Sequence, residues 1–113
     1  MAETIFSKII DGSIPADVVH RDEHCMAFKD INAQAPVHIV LIPIKPIEAL
    51  SGADESDQAL LGHLLRMAPR IAEEQGVGNA YRLISNDGRA AGQEVMHLHF
   101  HILGGRELGW PPG

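Results

Sequence analysis

Three histidines stand at alternate positions of the segment VMHLHFHILGG, residues 95–105, and an apolar residue fills each gap between them. Side chains alternate between the two faces of a β-strand, so in a strand these histidines would share one face. They are His97, His99 and His101. The apolar residues between and after them would enter the core from the other face; these are Leu98, Phe100 and Ile102. The pattern therefore predicts a half-buried strand that presents a row of imidazoles.

Such a row of imidazoles has three interpretations. It can be a metal site, since neutral imidazole is a common zinc ligand and His38 on a neighbouring strand could add a fourth ring. It can be a solvated polar face without chemistry. It can also be catalytic, with one imidazole as nucleophile or base and its neighbours fixing its tautomer and binding an anion. The catalytic hypothesis is favoured, because no Asp or Glu is placed to support histidine ligands of a metal.

The loop NDGRAAGQE, residues 86–94, supports the catalytic hypothesis. Gly88 and Gly92 allow backbone amides to approach a ligand closely, as a small phosphate site requires. Asn86 adds an amide donor and acceptor at the end of the preceding strand. A glycine pattern of this kind is by itself more typical of a plain hairpin loop, so its meaning depends on the histidines that follow it.

The rest of the pattern predicts an α+β domain in which one helix-rich layer covers a mainly antiparallel sheet. The expected elements are a short helix within residues 4–15, a two-stranded hairpin within 17–31, a strand within 35–46, a long helix within 55–76, and strands at 80–85 and 97–103. The long helix carries an apolar stripe at helical spacing, formed by Leu60, Leu61, Leu64, Leu65, Ala68, Ile71 and Ala72. Pro69 lies inside this helix and is expected to bend or interrupt its last turns.

Composition limits the size and the partners of the domain. A chain of 113 residues fits one domain spanning 1–113, and its formal charge of −6 argues against binding to a nucleic-acid polymer. No apolar run reaches transmembrane length and the N-terminus lacks a signal-peptide pattern, so we expect a cytoplasmic protein that binds no membrane.

Cys25 is the only cysteine, so we expect no intrachain disulfide and no zinc site built on cysteines. We interpret Cys25 as a packing residue, and His20, His24 and His63 as solvated surface groups.

The triad and its surroundings resemble the histidine triad (HIT) family of nucleotide hydrolases and transferases. HLHFHIL fits the family motif His-φ-His-φ-His-φ-φ, in which φ is apolar. The stretches IFSKIIDGSIPADVV, CMAFKDINAQAPVHIVLIP and GQEVMHLHFHILGGRELGWPPG are similar to the Hint branch, the histidine triad nucleotide-binding proteins. The likeness covers essentially the whole chain. It implies a five-stranded antiparallel sheet with two helices, and a homodimer in which the two sheets join.

The resemblance also implies a purine nucleoside phosphoramidase, which cleaves the P–N bond of adenosine or guanosine 5′-phosphoramidates such as AMP-lysine. His99 would be the nucleophile and would form a nucleotidyl-histidine that water resolves. His101 would hydrogen-bond the phosphate or the leaving group, while His97 and His38 would form a relay that orients the nucleophile. The resemblance implies no cofactor, and the scheme requires no metal. The alternatives are a non-enzymatic nucleotide-binding or scaffold protein and a dinucleoside polyphosphate hydrolase of the same family.

The family motifs assign nucleotide-binding positions residue by residue. Two positions match the ribose site, where an Asp suits a bidentate grip on two hydroxyl groups: Asp30 and Ile31. Four positions match the phosphate and leaving-group contacts: Asn86, Gly92, Gln93 and Glu94. Five positions match the apolar slot for the base: Ile5, Phe6, Ile9, Phe28 and Val40. Trp110 lies in the C-terminal tail that, in the family, reaches the active site of the partner subunit.

Glu94 departs from the family pattern, because eukaryotic members of the branch usually have Ser at this position. The hydroxyl contact to the leaving group is therefore not available here, whereas a contact from the backbone amide would remain. The carboxylate leads to the hypothesis that this protein favours cationic, lysine-like leaving groups. Pro46 also differs, since members often carry His there, but that position is outside the reaction.

Overall fold

The computed structural model describes residues 3–113, which have the α+β architecture expected from the sequence. Their five strands are β1 (Val18–Arg21), β2 (Cys25–Lys29), β3 (Val37–Pro43), β4 (Tyr81–Ile84) and β5 (Phe100–Gly104). All neighbours pair antiparallel in one sheet of order β1–β2–β3–β5–β4. The α-helices within these residues are α1 (Ile5–Ile10) and α2 (Gln58–Glu74). The expected sheet of five antiparallel strands with two helices is confirmed.

The two helices pack on opposite faces of the sheet, which corrects the expectation of a single helix layer. Ile39 and Leu41 of β3 belong to the core on the α2 face, whereas Val40 and Ile42 belong to the core on the α1 face. Both faces of this central strand are therefore buried. This double burial explains why β3 has an almost uninterrupted apolar sequence rather than an alternating one.

Helix α1 is short, and its first turn is held by a reciprocal capping box. The hydroxyl of Thr4 accepts the backbone N–H of Ser7 (3.2 Å), and the hydroxyl of Ser7 accepts the backbone N–H of Thr4 (2.9 Å). Two otherwise unpaired donors are thereby satisfied. The cap fixes a helix whose buried residues, Phe6 and Ile9, cover the sheet face that carries the histidines.

Helix α2 runs from Gln58 to Glu74 and continues through Pro69, so of the expected bend or interruption the interruption is wrong. Proline removes one backbone hydrogen bond, but the packing of the apolar face against the sheet maintains the helix. The predicted stripe is mostly buried. The exception is Leu65, which is 52% exposed, while Met67 is buried instead.

No helix within residues 3–113 combines the length and the apolar character needed to cross a bilayer.

Strand β5 begins at Phe100, three residues later than predicted, so His97 and His99 precede the paired part of the strand. The N–H of Leu98 donates to the carbonyl of Ile47 (2.6 Å) rather than to a neighbouring strand. The alternation of the segment still holds. The three apolar residues enter the core on the α2 face, as predicted; they are Leu98, Phe100 and Ile102.

Candidate active site

A cavity of about 560 Å³ opens on the α1 face of the sheet. Its apolar lining contains all five positions expected to form the slot for the base: Ile5, Phe6, Ile9, Phe28 and Val40. The same lining contains most of the other predicted positions: Asp30, Ile31, His38, Asn86, Gly92, Glu94, His99 and His101. The lining also includes Ile14, Pro15, Ala16, Gln34 and Val95, which sequence reasoning did not single out. The fold therefore gathers residues that are up to ninety-six positions apart, from Ile5 to His101, into one cavity.

His99 has a tautomer that is fixed by the backbone of the triad. Its Nδ1 lies 2.7 Å from the carbonyl oxygen of His97. Because a carbonyl only accepts hydrogen bonds, Nδ1 carries the proton and the lone pair of the neutral ring lies on Nε2. Burial lowers the pKa of His99, and the ring of Phe6 packs edge-on against it with 4.9 Å between ring centroids. His99 is therefore a neutral imidazole with one free basic nitrogen at the cavity.

His101 has the opposite tautomer, which is set by a hydrogen-bonded chain through His38. The backbone N–H of Gln34 donates to His38 Nδ1 (3.0 Å), so the proton of His38 is on Nε2. His38 Nε2 lies 2.8 Å from His101 Nδ1 and donates to it. The neutral His101 ring therefore carries its proton on Nε2. Burial, together with the neighbouring rings of His99 and His38, lowers the pKa of His101 to about 4.

Asp30 supplies the negative charge nearest to these rings. Its Oδ1 accepts the backbone N–H of Asn32 (2.8 Å), and its Oδ2 lies 3.4 Å from His38 Nε2. The carboxylate partly opposes the lowering of the pKa of His38, His99 and His101, although burial is the larger effect for each. Asp30, His38 and His101 each offer a ligand atom within 4.8 Å of the other two, so this trio could also hold a metal ion.

His97 contributes to the site through its backbone rather than its ring. Its Nε2 donates to the carbonyl of Pro43 at the end of β3 (2.8 Å), and its side chain is not part of the cavity lining. The structure therefore changes the expected relay in which the rings of His97 and His38 orient His99. The carbonyl of His97 holds His99, whereas His38 contacts His101.

The loop before the triad is shaped by two glycines and one buried side chain. Gly88 and Gly92 have φ of +96° and +99°, a region that disfavours residues with a Cβ. Gln93 is only 3% exposed; it accepts the N–H of Gly88 (2.8 Å) and donates to the carbonyls of Glu48 (2.7 Å) and Val95 (3.1 Å). The side chain of Gln93 therefore holds the loop together and does not line the cavity.

Trp110 lies outside the cavity of its own chain and is 84% exposed. The carbonyl of the preceding Gly109 accepts a hydrogen bond from Arg82 Nη2 on β4 (2.7 Å). A second cavity, of about 590 Å³, lies in this region between residues 76–82 and 105–108. Its lining contains no histidine, unlike that of the first cavity.

Comparisons with known proteins agree with this fold. The HIT domain family matches residues 11–108. An uncharacterized HIT-like protein of Synechocystis is 58% identical over 114 residues, which cover 100% of both chains. The structure of a HIT family hydrolase from Legionella pneumophila has a TM-score of 0.95 and 43% identity, covering 98% of this chain and 100% of that chain. A histidine triad nucleotide-binding protein from Candida albicans has a TM-score of 0.82 and 27% identity, covering 96% and 83%. This chain belongs to the HIT family.

Proposed function

We propose that this protein is a purine nucleoside phosphoramidase of the Hint branch, which hydrolyses the P–N bond of adenosine or guanosine 5′-phosphoramidates such as AMP-lysine. The observation that carries the proposal is the bond from His99 Nδ1 to the carbonyl of His97, because it leaves Nε2 free as a nucleophile at the cavity. The Legionella relative is a hydrolase and the Candida relative is a nucleotide-binding protein, which supports a hydrolase that acts on nucleotides.

The first step is attack of His99 Nε2 on the α-phosphorus of the substrate. A bond forms between Nε2 and phosphorus, and the bond between phosphorus and the amine nitrogen breaks. The imidazole becomes positively charged, and the carbonyl of His97 stabilises this charge through the Nδ1–H bond. The side-chain amide of Asn86 and the backbone N–H of Glu94, two residues that line the cavity, are donors for the phosphate oxygens, where charge also accumulates.

The departing amine must gain a proton, and His101 Nε2–H is the donor beside His99. A bound phosphate favours the charged imidazolium, so substrate binding raises the pKa of His101 from its low value in the free protein. When both nitrogens of His101 carry protons, its Nδ1 can no longer accept a hydrogen bond from His38. The ring of His38 then turns its Nε2–H toward Asp30 Oδ2, which lies 3.4 Å away. His101 then gives the Nε2 proton to the amine, as a general acid.

The second step releases the nucleotide. Water attacks the phosphorus of nucleotidyl-His99, and the bond between phosphorus and Nε2 breaks. The neutral Nε2 of His101 accepts the proton of the water, because the acid of the first step is the base of the second. The products are a nucleoside 5′-monophosphate and a free His99 with its proton still on Nδ1.

The substrate class is tested by comparing two kinds of adenosine nucleotide under the same conditions. We expect kcat/KM for an AMP-amine phosphoramidate to exceed that for a diadenosine polyphosphate. An amine must be protonated as it leaves, and His101 is placed to donate that proton, whereas a polyphosphate can leave without one. Faster cleavage of the diadenosine polyphosphate would favour the other hydrolase branch. Tight AMP binding without turnover of either substrate would favour a nucleotide-binding protein without catalysis.

A further inference from the structure

Four metal-ligating side chains converge where the turn between β1 and β2 meets helix α2. Asp22 lies in this turn, and its Oδ1 accepts the backbone N–H groups of His24 (2.7 Å) and Cys25 (2.9 Å). These two bonds fix the carboxylate. The second oxygen, Oδ2, lies 2.8 Å from His20 Nε2, 2.9 Å from His63 Nε2 and 3.3 Å from Cys25 Sγ. We call the four side chains the hairpin cluster: His20, Asp22, Cys25 and His63.

The hairpin cluster is separate from the cavity that holds the triad. Cys25 belongs to the core on the α2 face of the sheet, together with Ala27 and Leu41, whereas the cavity opens on the α1 face. The structure also corrects the view of two of its histidines as solvated surface groups. The side chains of His20 and His63 are 22% and 33% exposed, and both contact the same carboxylate.

We propose that the hairpin cluster is a structural zinc site with two imidazole nitrogens, one thiolate and one carboxylate as ligands. Zinc prefers nitrogen and sulfur donors in tetrahedral arrangements, with bonds of about 2.0–2.3 Å and hence roughly 3.3–3.8 Å between ligand atoms. The ligand atoms of His20, Asp22 and Cys25 already lie within 4.8 Å of one another. His63 Nε2 lies 2.9 Å from Asp22 Oδ2 and would supply the fourth ligand after a rotation of its partly exposed ring.

The charges of the hairpin cluster also match a divalent ion. One thiolate and one carboxylate balance the two positive charges of zinc, while the two histidines bind as neutral rings. Binding displaces the thiol proton of Cys25, which passes to solvent, and the two imidazoles carry their remaining protons on Nδ1. Four protein ligands leave no open coordination position, which is typical of structural rather than catalytic zinc.

The competing explanation is a hydrogen-bonded turn in which Asp22 Oδ2 accepts from two imidazoles and a thiol without a metal. That arrangement needs no sulfur at position 25, because Oδ1 already holds the turn through backbone N–H groups. A zinc ion would use the sulfur and would join the β1–β2 hairpin directly to α2. It would therefore stabilise the folded chain, and the stabilisation would grow with the logarithm of the free metal concentration once that exceeds the dissociation constant.

The test uses cobalt(II) as a spectroscopic substitute for zinc, with the 113-residue chain freed of metal by chelation. Cys25 is the only cysteine of the chain, so a sulfur-to-cobalt charge-transfer band reports on the hairpin cluster alone. Cobalt bound at Asp30, His38 and His101 would give no such band, since that trio contains no sulfur. We expect the band to saturate at one equivalent of cobalt and to disappear when zinc is added.

Variants of the two partly exposed ligands, which lie outside the hydrophobic core, test the site. We expect His20→Gln and His63→Gln each to weaken cobalt binding by at least about tenfold, and zinc to raise the Tm of the wild-type chain more than that of either variant. His24→Gln is the matched control, because this ring packs against His63 with 5.5 Å between centroids but is not a proposed ligand. Its band and affinity should equal those of the wild type.

Three results would overturn the zinc site. The first is a folded wild-type protein that gives no charge-transfer band with stoichiometric cobalt. The second is equal cobalt affinity in wild type, His20→Gln and His63→Gln. The third is a folded Cys25→Ala protein whose zinc-dependent rise in Tm equals that of the wild type. The last comparison also separates this site from the triad cavity, which Cys25 does not line.

Discussion

Each imidazole of the triad cavity has at least one nitrogen engaged by the protein, and His38 has both. The carbonyl of His97 occupies Nδ1 of His99, the N–H of Gln34 occupies Nδ1 of His38, and His38 in turn occupies Nδ1 of His101. These contacts assign a lone pair to His99 Nε2 and a proton to His101 Nε2. Two chemically identical side chains thereby acquire different roles in the proposed reaction, as nucleophile and as proton donor.

The low pKa of His101 predicts how stability depends on pH. An unfolded histidine takes up its proton near pH 6.5, whereas His101 in the fold has a pKa lowered to about 4, chiefly by burial. The unfolded state therefore binds more protons between these values, and the free energy of unfolding falls as the pH is lowered through this range. In His101→Gln we expect a shallower fall, because one of the buried histidines is removed.

Denaturant unfolding at a series of pH values checks this slope, with His24→Gln as a control that replaces an exposed ring. The control should keep the pH dependence of the wild type. Equal slopes in the wild type and His101→Gln would show that the folded protein does not keep His101 neutral. A steeper slope in the variant would contradict the proposed direction of the pKa shift.

Glu94 predicts a preference among leaving groups. Its side chain is exposed and lines the same cavity as His99 and His101, so it can attract a cationic leaving group. For Glu94→Gln we expect the ratio of kcat/KM for a lysyl over a neutral-amine phosphoramidate to fall by about two- to fivefold, the value of one exposed ion pair. Glu94→Ser should behave similarly. An unchanged ratio in both variants would exclude this role of the carboxylate.

The loop before the triad shows how an element depends on one buried side chain. Gln93 bonds to backbone groups of Gly88, Glu48 and Val95, which brings distant parts of the chain together beside the cavity. Replacement by Ala removes three partly buried hydrogen bonds, so we expect Gln93→Ala to lower the free energy of unfolding by about 1–3 kcal/mol. It should also lower kcat/KM, because the loop amides lose their positions.

Arg89→Ala is the matched control for this loop, because Arg89 is exposed and lies in the same turn. Its unfolding free energy should stay close to that of the wild type. Thermal and denaturant unfolding provide the measurement. Equal stability of Gln93→Ala and Arg89→Ala would mean that the buried amide does not support the loop.

For the helices and strands, local sequence patterns predicted which residues are buried better than they predicted strand pairing and contacts between distant residues. The alternation in residues 97–102 correctly predicted the buried positions Leu98, Phe100 and Ile102, because burial depends on side-chain direction. It did not predict that strand pairing starts at Phe100, since the register is set by contacts with β3 and β4. The role of Gln93 was also not predictable, because its partner Glu48 is forty-five residues away. For the same reason, the sequence did not predict that His63 contacts Asp22.

At the scale of the whole molecule, two features support the homodimer that the family resemblance implies. The sheet ends in an edge strand on each side, β1 and β4, and an edge strand can pair with a second copy. Trp110 is 84% exposed in one chain and would be covered if the tail reached a partner. We therefore continue to propose a dimer in which each tail contributes to the site of the other subunit.

Sedimentation equilibrium tests this assembly, with an expected mass of about twice the chain mass of 12.3 kDa. Trp110→Ala should keep that mass and lower kcat/KM, because the tail would contribute to the partner's site. A mass of 12.3 kDa at assay concentrations would contradict the dimer. Unchanged kinetics in Trp110→Ala would contradict the tail contact while leaving the dimer intact.

The nucleotidyl-His99 intermediate is tested most directly by mass spectrometry of protein that is acid-quenched during turnover of an AMP-amine phosphoramidate. We predict an added adenylyl group, and fragmentation should locate it on His99, whose Nε2 is left free by the bond from Nδ1 to His97. His99→Ala should bind AMP but lose at least about 10³-fold in kcat. An adduct on another residue, or full turnover in His99→Ala, would contradict the role of His99 as the nucleophile.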